Sequence, residues 1–375
     1  MNHKFITTLL STLLILSLFI GTGCTKPDVI KIGILGDITG RSSYLGVSNR
    51  NAVVQAVEEF NKSSEDFQIQ LSIKDDKGSS EETLKCIDEF ISEGVKLVIG
   101  PLTSNVALVI KNLPSETASN ILFVSPTVSG NFMYDIDDNF ITLVDSSDKQ
   151  GMMLAKGAIE LGLKKIATIY EYNNKSYSEP VVKAFEDVFK SLGGEVVYAK
   201  HFNSSEKAPF NELANEIIAS QANGVLIIAG GLDSSQLIQY LHKQKPDLPI
   251  YCGTWAKTTD FISNGGKAIE GTYFVGIMDE YANNAEFKQF AENYRELYDF
   301  EPTFAAMCGY ESAKILIEAI QRGDSVEPQV VKEEIIKNNT FKGLNLDLYI
   351  DENGDSERPY TMFQVQESKY IKVRE

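Results

Sequence analysis

Two short segments of this sequence gather groups that could hold an anion: Gly100-Pro101-Leu102-Thr103-Ser104 and Ser125-Pro126-Thr127-Val128-Ser129. Each follows a short apolar run, Leu97–Ile99 and Ile121–Val124, and an amphipathic helical stretch starting near Ser104 lies between them. This is the pattern of a βαβ unit whose strand ends present hydroxyls and bare backbone N–H groups. Parallel α/β sheets bind ligands at the carboxyl ends of their strands, and a helix N-terminus there favours negative charge. A site for a small molecule carrying a carboxylate is the chemistry these residues suggest.

Polar residues follow other strand-like runs too: Asp37, Thr39, Arg41, Ser42, Ser43 and Tyr44, then Glu171, Tyr172 and Tyr177, then Asp233, Ser234 and Trp255. Hydroxyls and backbone donors dominate the earlier group, acids and aromatics the later one. Together they make a clamp for a zwitterion, with the carboxylate on the hydroxyl side and an ammonium near the acids and rings. Taken singly, each residue fits a helix cap or a turn at least as well; the joint placement carries the reading.

Catalytic patterns are missing. The sequence has no G-x-S-x-G elbow, no Walker A loop and no G-x-G-x-x-G, since Gly33-Ile34-Leu35-Gly36 has the wrong spacing. His201 and His242 have no partner motif, and no cofactor is expected. The acidic run Asp351-Glu352-Asn353-Gly354-Asp355 lacks the downstream glutamate of a calcium loop and reads as a hairpin turn, so no metal site is expected.

From Val29 onward strand and helix patterns alternate, which means parallel sheets covered by helices on both faces. Ten strand-like runs exceed what one doubly wound lobe usually carries. The expected division is an export segment over residues 1–23, a first lobe of 24–144 plus 276–347, and a second of 145–275 plus 348–375. The tail from Leu344 to Val373 changes to short strands and turns, as if sealing one lobe. Neither an internal repeat nor a low-complexity linker is present, so short crossovers join the lobes, as suits a hinge.

A net charge of −17 and the lack of any Lys/Arg cluster with interleaved aromatics argue against nucleic-acid binding and fit a soluble monomer. At the N-terminus, the apolar run Phe5–Ile20 behind Lys4 has the length of a secretory signal. It ends at Gly21-Thr22-Gly23-Cys24, which resembles the bacterial lipoprotein processing site in which the cysteine is lipidated. An uncleaved anchor helix or an ordinary signal peptide are the alternatives, and all of them export the chain. Cys86, Cys252 and Cys308 lie far apart with no CxxC, so no disulfide framework or redox motif is expected.

Several longer stretches carry a family resemblance: KIGILGDITGRSSYLGVSNRNAVVQAVEEFN, VIGPLTSNVAL, ILFVSPTVS, YCGTWAKTTDF with GGKAIEGTYF, FAAMCGYESAKILIEAI and ENGDSERPYTMFQVQ. In this order they resemble the type I periplasmic-binding-fold solute-binding proteins of branched-chain amino-acid (Leu/Ile/Val-binding) ABC transporters. The resemblance implies two lobes closing on a ligand about a three-strand hinge, without catalysis. It implies that Ser104 binds the ligand carboxylate, that Ser129 offers a hydroxyl and N–H, and that Thr127 offers its carbonyl to the ammonium. Tyr44 matches the aromatic of the first loop and Tyr177 the tyrosine that covers the ammonium. Trp255 stands where many amino-acid binders have a glutamate, so the counter-ion passes to Asp233 or Glu171, or the ligand is not a simple α-amino acid. Trp255 itself either stacks on the ligand or packs the lobes together. The implied protein is a lipid-anchored receptor on the outer face of the cytoplasmic membrane. It would capture a small amino-acid-like ligand for ABC permease subunits, the alternative being a sensor that signals through a membrane partner.

Overall fold

The computed structural model describes residues 28–204 and 206–374. The expected export segment and Cys24 lie outside these residues. The first sheet is formed by β1 (Asp28–Gly36), β2 (Phe67–Asp75), β3 (Leu97–Ile99), β4 (Leu122–Ser125) and β5 (Phe140–Thr142), in the order β2-β1-β3-β4-β5. All its pairings are parallel, with Gly33 opposite Val98 and Val98 opposite Phe123. β3 and β4 are buried at every position, which is why they read as unbroken apolar runs: helices cover both faces of a parallel sheet.

The second sheet takes β6 (Lys165–Glu171), β7 (Glu195–Phe202), β8 (Gly224–Ile228), β9 (Ile250–Cys252) and β10 (Tyr273–Gly276), again parallel. A small antiparallel sheet follows in the chain: β11 (Thr340–Phe341), β12 (Leu348–Ile350) and β13 (Ser356–Glu357). The chain then returns to the second sheet with β14 (Thr361–Gln366) and β15 (Lys369–Arg374), which extend it antiparallel from β10. The order is β15-β14-β10-β9-β8-β6-β7. The tail thus seals the second lobe. Residues 348–357, expected there as well, sit elsewhere: Leu348 and Ile350 belong to the core of the first sheet, with Ile34, Val124 and Leu316. The acidic run between β12 and β13 is a turn in which Asp351 Oδ1 accepts the N–H groups of Asn353, Gly354 and Asp355. Cys86, Cys252 and Cys308 are buried free thiols. Among the described residues no helix is long and apolar enough to cross a membrane.

Three crossovers join the lobes. The first leads from β5 into the helix Ser147–Glu160, the second leaves β10, and the third lies between β13 and β14. The third is pinned. Arg358 is fully buried and its Nη2 lies 2.7 Å from Glu311 Oε2, while Glu311 Oε1 also accepts from the Leu344 N–H at 2.8 Å. Two residues on, the Tyr360 hydroxyl donates to the carbonyl of Asp145 in the first crossover, at 2.8 Å. Removing one member of a buried ion pair strands the other charge, at a cost of about 3–5 kcal/mol. Glu311→Ala should therefore lower the unfolding free energy by about that amount, read as a drop in the urea midpoint. A loss below about 1 kcal/mol would mean that the pair does not hold the crossover.

Candidate functional site

The loop after β3 turns at Gly100, whose φ is +124° and where a Cβ would stand 2.1 Å from the Leu35 carbonyl oxygen. Only glycine allows that approach, and it brings the end of β1 against the loop. The loop leads into the helix Ser104–Lys111, whose N-cap Thr103 is extended and makes no side-chain cap. Of the first-turn N–H groups, that of Asn105 is taken by Asn174 Oδ1 from the second lobe, and the positive end of the helix faces the space between the loops. The second loop is locked onto the first. Ser125 Oγ donates to the Pro101 carbonyl at 2.8 Å and Thr127 Oγ1 to the Leu102 carbonyl at 2.6 Å. Ser104 Oγ accepts from the Gly130 N–H at 3.2 Å. The Ser129 carbonyl takes both the N–H and the hydroxyl of Ser147.

The facing wall comes from the second lobe. Tyr177, near the start of the helix Lys175–Ser191, is buried and donates to Gln150 Oε1 at 3.0 Å. Burial pushes its phenol well above the usual range. Gln150 is engaged at both ends of its amide: Oε1 also accepts from the Thr254 N–H, and Nε2 donates to the Tyr360 hydroxyl. A Cβ at Gly253 would meet the Tyr177 hydroxyl at 2.8 Å, so glycine there is needed for this packing. Trp255 lies on the short turn Thr254–Ala256 after β9, edge-to-face with Tyr177 at 5.8 Å between ring centroids. Two anchors fix that turn. Thr254 Oγ1 donates to the Val275 carbonyl, and the buried Lys257 ammonium donates to the Met278 carbonyl and to Glu280. Lys257 Nζ also lies 4.3 Å from the Phe363 ring centroid and 4.6 Å from that of Tyr370. Burial lowers its pKa and the Glu280 carboxylate opposes the shift.

The expected site residues fall into two connected spaces. Ser104, Thr127, Ser129, Tyr177 and Trp255 line an inner cavity together with Gln150, Asn174 and Tyr360. Its room is about 30 Å³, against about 10–15 Å³ for a single water. Tyr44 and Asp233 line an outer cleft of about 470 Å³, which shares Trp255 and Asn174 with the inner space. The Tyr44 hydroxyl donates to the Trp255 carbonyl at 3.4 Å. Both carboxylate oxygens of Asp233 lie 3.2 Å from Arg41 Nη2, across the cleft. Burial raises the Asp233 pKa and Arg41 counters it. Glu171 is also in the outer cleft, its carboxylate accepting from the Asn173 and Asn174 N–H groups and from Ser204 Oγ. Its pKa is raised by burial, against those hydrogen bonds.

The lobes meet over the inner cavity. The Asn105 N–H donates to Asn174 Oδ1, its amide donates to the Asn173 carbonyl, and its Oδ1 accepts from the Ser176 N–H at 3.1 Å. Sequence reasoning missed Asn105, Gln150, Asn174 and Tyr360. Asn105 and Gln150 sit inside helical patterns and Tyr360 in the tail, where nothing local marks them. Asn174, next to the expected Tyr177, carried the one usable signal. No group of His, Cys, Asp and Glu among the described residues could hold a metal ion.

The family model for periplasmic binding proteins matches residues 29–369, and the chain belongs to that family. A Leu/Ile/Val-binding protein homolog of Brucella abortus (strain 2308) is 24% identical over 352 residues, covering 92% of both chains. The branched-chain amino acid transporter substrate-binding protein of Streptococcus pneumoniae, solved with isoleucine, superposes with a TM-score of 0.83 at 20% identity, over 93% of this chain and all of that one. A solute-binding protein of an R. palustris ABC transporter, solved with benzoate, has the same TM-score of 0.83 at 18% identity, over 92% and 96% of the two chains. The protein is accordingly a solute-binding protein rather than an enzyme, and exported as periplasmic binding proteins are.

The Arg41–Asp233 pair spans the two lobes, and an exposed pair of this kind is worth about 0–1 kcal/mol. Arg41→Ala and Asp233→Asn should each shift the protein toward an open form, seen as a larger radius of gyration in small-angle scattering. The double variant should add nothing to either. Unchanged scattering in both single variants would remove the pair from lobe closure.

Proposed function

We propose that this periplasmic binding protein is the solute-capturing component of an ABC importer, taking a small, amino-acid-sized carboxylate between its lobes and presenting it to permease subunits. The observation that carries this is the helix N-terminus at Ser104, standing in the first lobe opposite Tyr177 and Trp255 of the second across one small cavity. Isoleucine and benzoate, the ligands of two proteins with this fold, have a carboxylate in common and little else. In this reading Ser104 and the helix N-terminus hold the carboxylate, Ser129 adds its hydroxyl, and the Thr127 carbonyl faces the rest of the ligand. Tyr177 and Trp255 close over it, while Tyr44 and Asp233 guard the mouth.

Mechanism follows from the two lobes being bound to the ligand by different elements. With the lobes apart, only one set of contacts is available; with them together, both are. A ligand that gains contacts only in the closed form shifts the equilibrium toward it. With about 30 Å³ of room the inner cavity does not admit an amino-acid-sized solute as it stands, so the lobes must part to load and unload it. No bond is made or broken. We place the lobe limits at 28–144 with 276–357 and at 145–275 with 358–374, following the two sheets and their cores. The protein acts as a monomer held to the outer face of the cytoplasmic membrane by a lipid on Cys24.

Ser104→Ala should weaken binding of the best carboxylate from a thermal-shift panel by about 1–3 kcal/mol, measured by isothermal titration. Unchanged affinity would take Ser104 out of the site. Cys24→Ala should move the protein from the membrane fraction to the soluble one; retention in the membrane would mean that another segment anchors it.

A further inference from the structure

The inner cavity offers a carboxylate its donors but offers an ammonium no anion. None of the residues lining it is charged. The acids lie in the outer cleft instead: Asp37, Glu171 and Asp233 are already engaged by donors there, and Asp260 lines that cleft rather than the inner cavity. Glu171 accepts two backbone N–H groups and the Ser204 hydroxyl, and Asp233 takes Arg41 on both oxygens. Gln150, the polar group at the cavity floor, has its carbonyl oxygen occupied by Tyr177 and by the Thr254 N–H. A backbone carbonyl such as that of Thr127 carries only a partial charge and cannot neutralise an ammonium. Burying a cation without a counter-ion is strongly unfavourable.

A second, independent observation points the same way. Trp255 is nine-tenths buried and lines the cavity, and its indole Nε1 is buried without any hydrogen-bond partner. An indole N–H is a donor only, so it calls for an acceptor, and an ammonium has none to give. A buried donor left unsatisfied is costly, and rare enough in folded proteins to need an explanation. Trp255 lines the outer cleft as well as the inner cavity, and its unpartnered N–H adds a second-lobe donor to the helix N-terminus of the first.

We propose that the ligand is a carboxylate without an ammonium group, an aliphatic or aromatic acid with a compact apolar body, and that Trp255 Nε1 donates a hydrogen bond to one of its oxygens. Leu45, Val144, Ile277 and Phe304 supply the apolar lining for that body. This rests on the solute-capture reading and narrows its ligand class.

Matched pairs test it on the full chain in detergent, by isothermal titration: leucine against 4-methylpentanoate, and phenylalanine against 3-phenylpropanoate, with benzoate as a third acid. At least one acid should bind tenfold or more tightly than its amino partner, and Trp255→Phe, which keeps an aromatic ring but no N–H, should weaken that acid at least threefold. An advantage below tenfold for the acid in both pairs, tighter binding of the amino acids included, overturns the proposal. An unchanged acid affinity in a folded Trp255→Phe protein overturns the role of Nε1 alone. The wild-type pairs decide the ligand class even if that variant does not fold. Should none of the five compounds bind, the narrowing to simple acids is wrong. A thermal-shift response to other solutes would then leave the capture reading standing, whereas silence across the panel would sink both.

Discussion

Because β1, β3 and β4 run parallel, their carboxyl ends all arrive at one edge of the first sheet, and β6, β8 and β9 do the same in the second lobe. Ser104, Thr127, Ser129, Tyr177 and Trp255 are each carried on a loop, turn or helix that follows one of those ends. The positive helix end at Ser104 needs no charged side chain to attract an anion. That frees the inner cavity to be lined by hydroxyls, amides and rings. The uncharged lining of the cavity is therefore a consequence of strand direction combined with what the second lobe sets opposite.

Charges have been kept to the mouth and to the crossovers, where they do different work. At the mouth, Arg41 and Asp233 meet in partial contact with water, so their attraction is weak and reversible. With the few hydrogen bonds of Asn105 it makes a closed form that small differences can tip. Such a balance lets a ligand of modest affinity decide the population. At the third crossover, Arg358 and Glu311 are fully enclosed, and breaking them apart would expose an unpaired charge to the interior. One pair suits a latch and the other a fixed point about which the lobes can turn.

The Gln150 network links these regions. Its amide joins Tyr177 on the second lobe to Tyr360 on the third crossover, and Tyr360 in turn holds the Asp145 carbonyl on the first. The rings of the site thus stand on the hinge itself, and a change in how they pack is a change in how the crossovers sit. Lys257 does the same from the other side, tying the Trp255 turn to the segment that leaves β10.

Much of this was legible in the chain as written. Unbroken apolar runs such as Leu97–Ile99 identified doubly covered parallel strands, and the loops after them marked residues that the fold brings to one cavity. The turn at Asp351 could be read from its residue types, since its hydrogen bonds are local. What only the tertiary structure decided involves partners far apart in sequence. Asp233 reads as a free counter-ion until Arg41, distant along the chain, is seen to occupy it. Tyr360 has no local pattern to betray its place beside Gln150, and Leu348 and Ile350 could have entered either core. Periodicity and turn chemistry act over a few residues and are written in order along the chain. Which groups face each other across a cleft depends on how two separately folded sheets are brought together, and that information is spread over the whole surface where they meet.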